Sequence, residues 1–301
     1  MNSDTNFIQP LISIFNKYRS DILNLFNFFK DVSNFIEQDI EDSLEDLPIS
    51  DFVKKDEEKG DFMNLLKHVV SLLDNFFEKN ENKTQIGSKT KFSKKSGELF
   101  SELIMRISRI FNKKQYKKWF YNMAHIYLIC QFEAFNKDFF TEVFCYKPEK
   151  LKSKHMVSYQ EIIDFSKMED LNRYLAYKKM NDIFYSDIDD FAEKFLKKFF
   201  QIEITDKFKE WNDLRESFYR RNIIVHNGGK ISDTYIKKMK CIIDDSGKEL
   251  FNDKIYIANL KENMIKYLTF ITQEIFSNLG LNDTTKSLEQ KKGYTIEFSD
   301  K

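Results

Sequence analysis

Only 8 glycines and 3 prolines punctuate 301 residues, and that scarcity constrains the fold more than any other feature of the chain. An all-β protein needs a turn about every ten residues, and turns draw heavily on glycine and proline. Leu, Ile, Phe, Lys, Glu and Asp dominate here instead, so helices are the expected element and the fold class is all-α. A hydrophobic content of 42% can fill a sizeable core in a chain of this length. The 31 Phe indicate that aromatic rings fill much of it.

Apolar residues recur at helical spacing over 5–47, among them Phe7, Leu11, Phe15, Ile22, Phe26 and Phe29, which predicts two helices separated near Ser20 or Asp31. A second amphipathic run follows Asp61, a candidate N-cap. Residues 78–97 are polar, aperiodic and carry two glycines, the signature of a linker or long loop. The expected organisation is an N-terminal helical region over 1–82, a basic linker over 83–97, a helical bundle over 98–280 and a polar tail over 281–301. Within the bundle, a long helix ends before Pro148 and 155–208 holds shorter helices, the last of which, ending at Phe200, is followed by the β-leaning Gln201–Ile204. A strong helix then runs to Asn227, where Gly228 and Gly229 stop it. A small β-hairpin is expected around Asp245, Ser246 and Gly247, and an amphipathic helix closes the domain at Gly280.

Formal net charge is zero, but the charges are segregated. Glu37 to Asp61 carries a local charge of −8 and Lys83 to Lys118 one of +9. Each block reads as a solvated face, and the two could also pair with one another. In the basic stretch cations interleave with aromatic rings, which suits phosphate contact and base stacking and makes Lys113, Lys114, Lys117 and Lys118 candidate RNA contacts. Cys130, Cys145 and Cys241 fit neither a disulfide framework nor a CxxC metal knuckle, so a reducing cytoplasm is the expected location. No apolar run approaches the ~20 residues of a membrane span, and no membrane partner is expected. Metal and nucleotide templates such as HExxH and GxxxxGK[ST] are absent from the sequence, so no metal and no cofactor is called for. Asp187, Asp189 and Asp190 read as acids complementing the start of a helix. His68, His125 and His155 read as satisfied core or surface residues.

Packing explains "RRNIIVHNGG", residues 220–229, least well. On a helix Asn222 and His226 share a face, and Arg221 precedes His226 by about one and a half turns. Glu216, four residues before Arg220, can pair with it. Two guanidinium groups, a carboxamide and an imidazole thus gather at a helix end bounded by glycines. Such a set can hold a phosphate, move a proton and stabilise added negative charge while a ribose 2′-hydroxyl attacks the adjacent phosphorus. The products would be a 2′,3′-cyclic phosphate and a 5′-hydroxyl. Spacing alone equally allows both arginines to be helix-end cations, with His226 capping the last carbonyls.

The string from Glu216 through Arg220, Arg221, Asn222 and His226 to Tyr235 resembles the Arg-x4-6-His motif region of the HEPN superfamily, as found in bacterial antiviral and toxin systems. The helix "HIYLICQFEAFNKDFF" is similar to that family's first long helix, where Phe132, Glu133 and Asp138 would face the motif helix. The resemblance covers roughly residues 98–280. It implies a HEPN-like helical bundle and a homodimer with a composite active site. It further implies a metal-independent endoribonuclease acting in antiviral defence, abortive infection or as a toxin, with RNA as substrate and a regulatory protein as partner. Arg221, His226 and Asn222 would be catalytic, and Arg220, Glu216, Glu133 and Tyr235 would support them. The family also contains non-catalytic modules that bind RNA, nucleotide or protein, and regulatory halves of nucleotidyltransferase pairs.

Overall fold

Phe7, Leu11, Phe15, Tyr18, Ile22, Phe26 and Phe29 step by three or four residues and are all buried, so one face of the N-terminal segment is apolar along its length. The computed structural model describes residues 2–45, 94–151, 158–184, 187–240 and 246–281, without the side chains of 2–6, 44–45, 94–104, 107, 110, 111 and 114. In it the N-terminal segment is a single helix, α1 (Asn2–Glu45). The break expected near Ser20 or Asp31 does not occur. Both residues face solvent, where their weaker propensity costs only about 0.5 kcal/mol each, and the buried stripe passes beneath them uninterrupted.

The central element is α2 (Lys94–Tyr146), which ends just ahead of Pro148. Its first residues belong to the stretch expected as linker, so the helix starts earlier than composition suggested. Between Phe120 and Phe144 its buried positions cover a wide arc, as a helix surrounded by others requires. Within that span α1 packs on it in antiparallel sense. Phe7 stacks on Tyr146 with ring centroids 3.7 Å apart, the Tyr18 hydroxyl donates to Asp138 at 2.6 Å, and Phe29 meets Phe120 at 5.5 Å.

After a 3-10 turn (Pro148–Leu151) come α3 (Tyr159–Ile163) and α4 (Met168–Phe184). Next is α5 over 188–200, whose middle, Phe191–Lys197, is π-helical, and then the short α6 (Ile204–Lys207). The motif lies on α7 (Trp211–Asn227), followed by α8 (Asp233–Met239) and α9 (Lys254–Asn278). The core is built from rings, as the composition foretold. Phe132 of α2 touches Phe218 of α7 and Tyr267 of α9 at 5.0 and 4.5 Å, and Phe140 touches Phe195 and Phe200 of α5 at 4.9 and 5.0 Å.

Among the described residues every regular element is helical, and no strand forms over 201–204 or 246–258. Gln201 adopts a left-handed conformation (φ 56°) that ends α5, and Ile204 opens α6. At the expected hairpin, the Asp253 side chain accepts the Tyr256 amide at 2.7 Å, so the β-branched run beginning at Ile255 becomes the first turn of α9. Residues 247–250 pair instead with 229–231, through a lone antiparallel bridge between Lys230 and Glu249.

The chain divides into two compact units, Met1–Val32 with Lys118–Lys301, and Ser33–Lys117. The first part of α1, through Val32, therefore falls in the same unit as the motif helix. The helix expected from Asp61, His68 and His155, the linker residues 83–93, Cys241 with the first strand of the hairpin, and the tail beyond 281 lie outside the described residues. No helix among those described is long and apolar enough to cross a membrane.

Candidate functional site

Helix α7 buries Trp211, Leu214, Phe218 and Ile223 and leaves Asn222 and His226 exposed, so its apolar face fixes which way the polar motif points. Gly228 (φ 62°) stops the helix in the left-handed region, and the Gly229 amide reaches back to the Ile223 carbonyl at 2.9 Å. The second glycine has its own task. With φ at 87°, Gly229 redirects the chain so that its carbonyl accepts the Leu250 amide at 2.9 Å. The Asn227 carbonyl takes the Lys230 amide at 3.2 Å. These last carbonyls are satisfied by backbone, and neither the arginines nor His226 cap them.

Arg221, Asn222 and His226 line one cavity of about 980 Å3, together with Glu133 of α2, Tyr235 of α8 and the end of α4. The Arg221 Nη2 donates to Glu133 at 2.6 Å, with both side chains about a quarter exposed. This contact fixes one edge of the guanidinium. Its Nε is buried without a hydrogen-bond partner, an unmet donor in a half-buried cation. Phe132, one residue before Glu133, packs against Phe218 of the motif helix. Asp138, expected to face the same helix, instead accepts from Tyr18 of α1, because five residues rotate a helical position by about 140°.

Arg220 turns away from the cavity. Its Nε donates to Glu216 at 2.8 Å and its Nη1 to the Phe251 carbonyl and to Asn252 at 3.1 and 3.2 Å, with the guanidinium 4.0 Å from the Tyr256 ring centroid. Glu216 also accepts from the hydroxyls of Tyr235 and Tyr256. One carboxylate thus ties α7 to α8 and α9, and Tyr235 carries that tie to the cavity wall. Behind it His125 is fully buried, with Nε2 2.8 Å from the Ser217 carbonyl and Nδ1 3.1 Å from Asn252. Burial pushes its pKa down to about 4, against the opposing pull of the Ser217 carbonyl. Sequence reasoning missed Tyr256 and Asn252, and only the spatial convergence of α2, α7 and the start of α9 identifies them.

The acids at the start of α5 form a second cluster. Asp187 caps the helix by accepting the Asp189 amide at 3.3 Å, as its position suggested. Both carboxylates are also engaged by distant partners. Arg215 grips Asp189, Lys238 reaches Asp187 and Asp189 at 2.8 and 3.0 Å, and the Tyr219 hydroxyl, 3.0 Å from Asp189, donates to Asp187 at 2.6 Å. The Arg215 guanidinium holds the Asp189 carboxyl well below the usual range. No group of three or more His, Cys, Asp or Glu able to hold a metal ion occurs among the described residues.

Lys113 pairs with Asp39 and Lys117 with Glu37, each at 2.7 Å, so the oppositely charged blocks meet at these points. Lys118 pairs with Glu249 and lies 5.0 Å from the Phe251 ring centroid. The Lys114 side chain lies outside the described residues. The structure therefore brings together Arg221, Asn222, His226, Glu133 and Tyr235, and sets Glu216 and Arg220 behind them. No protein-family model, curated protein or solved structure matches this chain, so the reading of its site rests on the residues and their geometry.

Proposed function

We propose that this chain is a metal-independent endoribonuclease whose phosphate site is built by Arg221, Asn222 and His226. The observation that carries the reading is the Arg221 guanidinium, oriented by Glu133 and lining the same cavity as the exposed imidazole of His226. A guanidinium held at one edge by Glu133 offers its remaining donors to a phosphate oxygen, and that preorganisation favours the added charge of a five-coordinate phosphorus. In the reaction the ribose 2′-oxygen forms a bond to phosphorus while the bond from phosphorus to the 5′-oxygen breaks. The 2′-hydroxyl proton goes to a base and the 5′-oxygen takes one from an acid, and His226 serves in one of these roles. Asn222, on the same face as His226, positions it.

The HEPN resemblance supplies the wider setting: a homodimer in which a second copy's His226 takes the complementary role, and a place in bacterial defence or toxin action. A direct test incubates the purified full chain and its His226→Ala and Arg221→Ala variants with total cellular RNA in EDTA, then maps 5′-hydroxyl and 2′,3′-cyclic phosphate ends. Discrete ends from wild type alone support the reading. Intact RNA with wild type, or identical ends from all three, overturns it.

A further inference from the structure

The cavity is larger than phosphate chemistry requires. At about 980 Å3 it matches the upper end of the roughly 300–1,000 Å3 seen for pockets that hold small organic ligands, and a phosphate fills only part of it. The rest of the wall comes partly from the end of α4, where Asn181 and Phe184 line the cavity one helical turn apart. Asn181 is half-buried, and its carboxamide has no hydrogen-bond partner among the described residues. A carboxamide presents a donor beside an acceptor, the pattern that reads the edge of a nucleobase. Phe184 supplies an aromatic surface, and Lys137 Nζ lies 5.9 Å from its ring centroid.

Electrostatics at this corner favour an anion beside the ring. Glu133 and Asp187, the carboxylates lining the cavity, are already paired with Arg221 and Lys238. Lys137 lies one turn of α2 beyond Glu133 and has no carboxylate partner among the described residues. Amide, ring and cation therefore line the same open cavity as Arg221.

The geometry points to a base-binding subsite at Asn181 and Phe184, which seats one nucleobase of an RNA strand whose adjoining phosphate lies against Arg221 and Lys137. This assignment rests on the ribonuclease reading and deepens it: Asn181 becomes the residue that sets base preference. Phe184 stacks on the base, and Arg221 contributes equally to every sequence.

The test uses the full chain and four fluorescent 2′-O-methyl homopentanucleotides, which lack the attacking hydroxyl and are bound without being cut. Wild type is expected to prefer one base over the weakest by about tenfold, within the range that a good amide–base pair supplies. Asn181→Leu, close in size, should bring all four affinities within about twofold, and Arg221→Ala should weaken all four alike. Phe184→Leu, which keeps the Phe191 side of the ring apolar, should weaken the preferred base most. Unchanged selectivity in Asn181→Leu, or no binding of any oligonucleotide by wild type, overturns the subsite. A parallel cleavage map on RNA separates the two readings. Cutting at the same sites by wild type and Asn181→Leu removes the subsite and leaves the nuclease, whereas selective binding without cutting leaves the subsite and removes the nuclease.

Discussion

Replacing Glu216 with alanine tests how the motif helix is held. Its carboxylate accepts from the Arg220 Nε and from the Tyr235 and Tyr256 hydroxyls, and the side chains of Glu216 and Arg220 are only 20% and 13% exposed. Removing one partner of such a pair leaves a buried cation short of its counter-charge, which costs about 3–5 kcal/mol. Arg220 keeps the Phe251 carbonyl and Asn252, so the lower end of that range, about 3 kcal/mol, is expected. Glu216→Gln retains an acceptor without the charge and should cost about 1–2 kcal/mol. Urea unfolding followed by circular dichroism reads both values, with the slope unchanged if the loss is in the folded state. Pairing Glu216→Gln with Tyr235→Phe should show a coupling of at least about 0.5 kcal/mol. A loss below about 1 kcal/mol for Glu216→Ala, at constant slope, would refute the claim that this carboxylate ties α7 to its neighbours.

Stability should depend on pH through His125, whose folded pKa of about 4 lies below its ordinary 6.5. Between those values the unfolded chain binds a proton that the folded chain does not, so this contribution is complete above pH 6.5 and disappears as pH falls to about 4. It amounts to about 3 kcal/mol, and His125→Gln should flatten the profile of urea midpoints over that window. Gly228→Ala places a side chain at φ 62° with open space around it, so it should cost about 1 kcal/mol in urea unfolding without disturbing packing. His226→Ala removes an exposed ring and should shift stability by less than about 0.5 kcal/mol. Under the proposed mechanism the same variant lowers the RNA cleavage rate by about 10²–10⁴-fold.

The end of α7 was legible because its signals are local. A helical apolar period stops at two glycines, and Glu216 stands four residues from Arg220, so both the Gly228 terminus and the Glu216 to Arg220 pair follow from spacing. Where helix replaces the expected second strand, the reason is that short β-branched runs bias the backbone only weakly. At 254–257 that bias is overridden by the Asp253 cap and by the burial of Ile257. Other contacts carry no local signal. Lys238 meets Asp187 across 51 residues and Asn252 meets His125 across 127, and no period or motif joins positions so far apart. The wall that α4 lends to the cavity is of the same kind, since Asn181 and Phe184 read in sequence as ordinary residues of an amphipathic helix.

The antiparallel match of α1 with α2 also sets an order of events during synthesis. Tyr18 and its partner Asp138 are 120 residues apart in the chain. At roughly 5–20 residues per second, translation needs roughly 6–24 s to produce the second after the first. Throughout that interval the stripe from Phe7 to Phe29 has emerged without its partner, a greasy helix face offered to chaperones, proteases and other nascent chains. The α2 residues that cover this stripe, from Phe120 to Tyr146, are made some ninety or more residues after it, and the stripe stays uncovered until they arrive.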